Sequence, residues 1–285
     1  MKKSNFFDKI VEYKISDNYR LFALPDFITK IQNGAGSANI KYFNDRIYEI
    51  AELDIEYPQK RSLLVTMIVI PREIYAELSG NPYGQSINGS YNPFDKIFRT
   101  ALYIDEQSFE NWIFERLAIL HELSHVVHGA FFSLELREGF AEMLPFYILD
   151  LEKEYPEHAR KIADLLPEEI LTIKEVRQRG YNPPNVVKEN LPISLRPAYI
   201  ATYLLMRGIL QRLTKEFGGD KIVALNRMLT KFAEFSVLAK RMELKDEMIW
   251  RFAGLDAGED YRTLQLEAQA EIVELAKELP LPSYT

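Results

Sequence analysis

Cysteine is missing from all 285 positions of the chain. That excludes a disulfide framework, a thiolate nucleophile and any metal site built on sulfur. Histidine is nearly as scarce, with four in the whole chain, so any clustering of them is informative. No window approaches the ~18 uninterrupted apolar residues that a bilayer-spanning helix requires. The amino terminus reads MKKSNFFDKIVEYK and lacks the apolar stretch of about 7–15 residues that marks a secretory signal. The expectation is a cytoplasmic chain without a membrane partner. An excess of positive charge is missing too: 35 Lys and Arg face 42 Asp and Glu, a net charge of −7. Such a surface repels phosphate backbones and argues against nucleic-acid partners. Phosphate-cradling glycine loops and the serine-hydrolase elbow are absent as well, so nucleotide and serine-nucleophile chemistry have no foothold.

What remains is an ordinary globular composition, 47% hydrophobic and 27% charged, long enough to bury about three-quarters of its unfolded surface. The pattern changes character near residue 105. Before it, strand-like segments dominate. SLLVTMIVI (62–70) is a continuous apolar run ended by Pro71, IFRTALYI (97–104) is another strand candidate, and 39–57 mixes β-branched and aromatic residues with charge. Between them GNPYGQSINGSYNP (80–93) has the chemistry of a loop. After residue 105 the spacing is helical. Ile113, Leu117, Leu120, Ser124 and Val127 form one stripe, and Gly129 supplies a stop. Further helices are expected over 134–153, 156–165, 167–179, 198–217, 219–236, 242–253 and 261–279. A proline-punctuated loop fills 180–197. The fold class expected is α+β: a mixed sheet region with one following helix over 1–130, then a helical region over 131–285.

Three of the four histidines, His121, His125 and His128, fall within eight residues. The first two frame HELSH, an HExxH match placed mid-helix. Spacing of four sets the two imidazoles one turn apart on one face, so both can reach a single tetrahedral zinc at about 2.0–2.1 Å. Glu122 lies roughly 100° around the helix. There a carboxylate can take a proton from a metal-activated water without joining the ligands. A catalytic zinc also needs a third protein ligand. Glu138 sits in REGFAE, thirteen residues after His125. In an antiparallel hairpin, His125 lies ~6 Å before the turn and Glu138 ~7.5 Å after it, at nearly equal depth. Glu142, one turn further, can reach the second nitrogen of a ligand histidine. Glu135 is a competing ligand that lacks such an acid behind it. His128 is about 10 Å along the axis from His121, which suits lining or packing better than sharing the metal. His158, in the charged segment EYPEHAR, is expected in solvent.

HELSH followed by a downstream helix with EGFAE resembles the gluzincin metallopeptidases, the superfamily of thermolysin and aminopeptidase N. The resemblance is clearest over 113–147, with a looser likeness in 198–229. It implies a zincin-like fold and one Zn²⁺ per chain, held by His121, His125 and Glu138, with Glu122 as general base. It also implies a tyrosine that stabilises the oxyanion, for which Tyr203 and Tyr199 both qualify. The partner implied is a peptide or protein substrate, aligned along an edge strand such as 97–104. Two departures set the chain apart. The interval from His125 to Glu138 is several residues shorter than in thermolysin or aminopeptidase N, and no GxMEN motif is present. Two other readings fit the same residues: a zinc hydrolase of a non-peptide amide or ester, and a non-catalytic zinc-binding module. The sequence does not specify an oligomeric state.

Overall fold

The computed structural model describes residues 5–33, 36–55, 62–79, 85–92, 97–105, 114–125, 134–181, 193–242 and 261–280. The chain is mixed α/β, and its contacts group into two compact units, Met1–Asp54 with Lys60–Val126 and Ile55–Gln59 with Val127–Thr285. No helix among the described residues is long and apolar enough to cross a membrane.

The first unit is built on a five-stranded sheet in the order β1-β2-β3-β5-β4. Its strands are β1 (Val11–Lys14), β2 (Tyr19–Ala23), β3 (Ser62–Ile70), β4 (Gln85–Asn92) and β5 (Ile97–Asp105). The outer pairs β1–β2 and β4–β5 are antiparallel, while β2–β3 and β3–β5 are parallel. The continuous apolar pattern of 62–70 follows from this place: β3 is the central strand, and Val65, Met67, Val69 and Ile70 are buried. Among the described residues three helices accompany the sheet, α1 (Pro25–Gln32), α2 (Gly36–Glu52) and α3 (Arg72–Ser79), and α4 (Phe114–Ser124) follows it.

Two expectations for this unit are corrected. Most of 39–57 is helix rather than strand. Ile40, Phe43, Ile47 and Ile50 are buried, and they recur every three or four residues, the period of a helix face rather than of a pleat. The segment 85–92, read as loop, is strand β4. Its glycine and asparagines are tolerated because it lies at the sheet margin, paired on one side to β5 from Gln85↔Ile104 to Asn92↔Ile97.

The second unit is helical: α5 (Leu134–Met143), a π-helical turn (Leu144–Ile148), α6 (Pro156–Ala163), α7 (Ile173–Arg179), α8 (Pro197–Glu216), α9 (Lys221–Met242) and α10 (Tyr261–Glu278). Helix α8 is its spine and packs against α5, α9 and α10. Helix α8 is buried on nearly every side, from Ala198 to Leu213, as expected of a helix enclosed by others. Buried glutamines tie the bundle together. Gln265 donates to the Ala201 and Leu171 carbonyls, and Gln269 to those of Ile162 and Leu165. The continuous helix expected over 134–153 gives way to the π turn at Leu144 and ends at Ile148, two residues before Asp150, whose φ is +54°. The helix expected over 242–253 and the centre of the 180–197 loop lie outside the described residues.

Candidate metal centre

Helix α4 presents the HELSH residues from the first unit. Leu117, Leu120, Leu123 and Ser124 are buried, so the stripe anchors the helix as its spacing requires. The Ser124 hydroxyl donates to the Leu120 carbonyl at 2.7 Å and is satisfied within the helix. The helix stops at Ser124, and His125 stands in the turn that follows.

The two imidazoles meet. Their Nε2 atoms are 3.2 Å apart, and the rings are edge-on, with centroids 4.8 Å apart at 90°. Two nitrogens bound to one tetrahedral zinc at about 2.0–2.1 Å are separated by ~3.3 Å, so the pair is already set at the span of one coordination edge. Without metal, the same separation serves as a hydrogen bond in which one Nε2–H donates to the other. His121 is buried, while His125 and Glu122 are half-buried.

Glu138 lies on α5, half-buried, between the buried residues Leu136 and Phe140. One ligand atom from each of His121, His125 and Glu138 lies within 4.8 Å of the others, and no other such group of three is found among the described residues. The donor set is two imidazoles and one carboxylate. It matches the ligand chemistry of zinc and leaves a coordination position for water. Glu142, one turn after Glu138, is only 1% exposed and is therefore not a solvated surface glutamate.

The remaining expectations fare differently. Tyr203 is fully buried, and its hydroxyl donates to Glu152 Oε1 at 2.5 Å. Arg207 donates to both Glu152 and Tyr203. Burial pushes the Tyr203 phenol well above its ordinary range, so this tyrosine acts as a neutral crosslink within the bundle, its proton committed to Glu152. Tyr199 is buried and packs edge-on against Tyr181, with centroids 5.0 Å apart. His158, expected in solvent, is buried and stacks on Phe146, with centroids 3.6 Å apart and planes within 7°. The cause is the face formed by His158, Ala159 and Ile162 on α6; the charges of EYPEHAR lie around it. His128 lies outside the described residues, as does the side chain of Glu135. Segment 97–104 is an inner strand, flanked by β3 and β4, so its main chain has no edge to offer. Among the described residues the edges are β1 and β4.

Sequence reasoning missed the buried ion pair between Glu152 and Arg207, whose members lie 55 positions apart. It also gave no role to Gly139, although a glycine between Glu138 and Phe140 in a helix was a visible signal. No family model, no curated protein and no solved structure matches this chain.

Proposed function

We propose that the chain is a zinc-dependent peptidase with a zincin-like fold, and the gathering of His121, His125 and Glu138 is the observation that carries the reading. Zinc, when bound, supplies Lewis acidity that brings a water's pKa to about 7 and polarises a carbonyl. The chain's own residues do the rest. His121 on α4 and His125 in the turn that follows it supply neutral nitrogen donors, and Glu138 supplies a negative oxygen donor. Glu122, roughly 100° around α4 from His121, takes the proton of the attacking water and returns it to the leaving amine. A structural metal site has no need of such a base, which favours a hydrolase over a binding module.

The sheet supports the same reading. Strand β4 is an edge strand, and it packs against α4. Among the described residues β4 has a strand partner on one side only, and an extended peptide that pairs on the other comes near the helix that bears Glu122. Since the Tyr203 hydroxyl is committed to Glu152 and Arg207, the mechanism assigns it no contact with substrate.

The test is metal stoichiometry. The purified chain is expected to carry about one zinc per molecule, with large losses in both His121→Ala and Glu138→Gln. Full zinc content in Glu138→Gln together with loss in Glu135→Gln would transfer the third ligand to Glu135. A wild-type chain with no affinity for zinc would remove the proposal altogether.

A further inference from the structure

The position of Glu138 depends on how α5 rests on α8, and the contact is made by the residue next to it. A Cβ added at Gly139 would strike the carbonyl oxygen of Thr202, lie 2.8 Å from that carbonyl's carbon and 2.7 Å from Met206 Cγ. Separations under about 3.0 Å are not accommodated without movement, and here two of the three atoms are backbone. The Thr202 side chain is no obstacle, because its hydroxyl turns back along α8 to the Ala198 and Tyr199 carbonyls at 3.1 and 3.2 Å. Phe140, Ala141 and Met143 are buried beside the contact, so α5 cannot slide to relieve it without disturbing close packing. The two helices are therefore in near-backbone contact at Gly139.

We infer that Gly139 is a positioning residue for the metal centre: its missing side chain lets α5 sit on the α8 backbone at the depth that presents Glu138 to zinc. The inference rests on the metal reading proposed above. It does not make Gly139 a ligand. A methyl group at this position lifts α5 from α8 and carries the Glu138 carboxylate with it. Coordination distances tolerate only a few tenths of an ångström.

A second glycine supplies the control. On another face of α8, a Cβ at Gly208 would strike the Leu264 carbonyl oxygen and lie 2.9 Å from its carbon. That contact joins α8 to α10, which bears no proposed ligand. Gly139→Ala and Gly208→Ala therefore impose similar crowding on one helix, and only the first touches the helix that carries Glu138.

The experiment measures zinc affinity by chelator competition, with the cobalt-substituted d–d spectrum as a second readout, for the wild type and both variants well below their melting temperatures. Gly139→Ala is expected to weaken zinc at least about tenfold and to shift the cobalt spectrum. Gly208→Ala is expected to lower the melting temperature while leaving both metal readouts unchanged. If Gly139→Ala does not fold, Met206→Ala opens the same contact from the α8 side, lets α5 settle toward α8 and is expected to weaken zinc about threefold or more, by the opposite displacement of the same carboxylate. Wild-type affinity in whichever of these variants folds would overturn the positioning role. So would an equal loss of affinity in Gly208→Ala, which would show a general response to crowding. A wild-type chain that binds no zinc would instead sink the metal reading, and this inference with it.

Discussion

Helices α4 and α6 each bury a histidine, and they handle it in opposite ways. On α4, His121 is 2% exposed and faces a second imidazole across 3.2 Å. On α6, His158 is 1% exposed and lies flat on Phe146. Neither His158 ring nitrogen makes a hydrogen bond of ordinary geometry. The first arrangement brings a ring nitrogen of each histidine within 4.8 Å of a Glu138 oxygen. The second uses the ring as an aromatic plate. Burial alone therefore does not separate a candidate ligand histidine from a packing one. What separates them is whether the nitrogens converge with other donors. The acids divide likewise. Glu152 is consumed by Arg207 and Tyr203 inside the bundle, whereas Glu138 is half-buried and gathered with two imidazoles.

The sharpest way to break that contrast is at Glu122. In Glu122→Gln the amide cannot accept the water's proton, yet its shape is kept and it stays outside the ligand set. Peptide hydrolysis is expected to fall by at least about a hundredfold, the usual scale of a lost general base. Zinc content and melting temperature should be retained. Undiminished cleavage by the variant would rule out the mechanism, and loss of zinc would make Glu122 a ligand.

A smaller effect is expected at Glu142. It is buried one turn after Glu138, where a carboxylate can accept a hydrogen bond from a ligand histidine and fix its tautomer. Glu142→Ala should then weaken zinc by about 10–100-fold without abolishing binding. A competitive chelator titration decides the matter. Equal dissociation constants for the two proteins would leave Glu142 a role in packing alone, while the HELSH and Glu138 argument would stand on its own residues.

How much of this was legible in the sequence depends on the range of the forces involved. The strands 62–70 and 97–104 were legible because an apolar run of that length between breakers has few other solutions. The histidine pair was legible because the α-helix converts a spacing of four into proximity. Helix α2 was misread because Tyr42, Ile47 and Tyr48 also suit a strand, and only the burial of Phe43, Ile47 and Ile50 shows which period prevails. Strand β4 was hidden by its asparagines and glycine, since the partner that holds it, β5, supplies what its own propensity does not. The sequence likewise leaves Tyr203 and Tyr199 both open as the oxyanion tyrosine, and the group that occupies the Tyr203 hydroxyl is Glu152, 51 positions away, which no local pattern connects to it.

The remaining contrast, between the paired histidines and His158, is read best through pH. Burial, aided by the nearby Arg207 charge and only partly offset by the Ser194 backbone, pushes the His158 imidazole down to about 3 from an ordinary 6.5. Between those two values the unfolded chain binds a proton that the folded chain refuses, so acid favours unfolding. The contribution of neutral His158 is therefore fully present above pH 6.5 and is lost as pH falls from 6.5 toward 3. Going from pH 7 to pH 5.5, this group alone should remove roughly 1.3 kcal/mol of stability, from about 1.4 kcal/mol per pKa unit. The check compares urea denaturation of the metal-free wild type and His158→Gln at both pH values. Other titrating groups are common to both proteins and cancel in the difference. The wild type should lose about 1.3 kcal/mol more than the variant on acidification, even though the variant starts less stable. Parallel losses would mean that His158 takes up its proton as readily in the folded bundle as in the unfolded chain. The plate against Phe146 would then tolerate a charge, and burial would no longer distinguish this histidine from one in solvent.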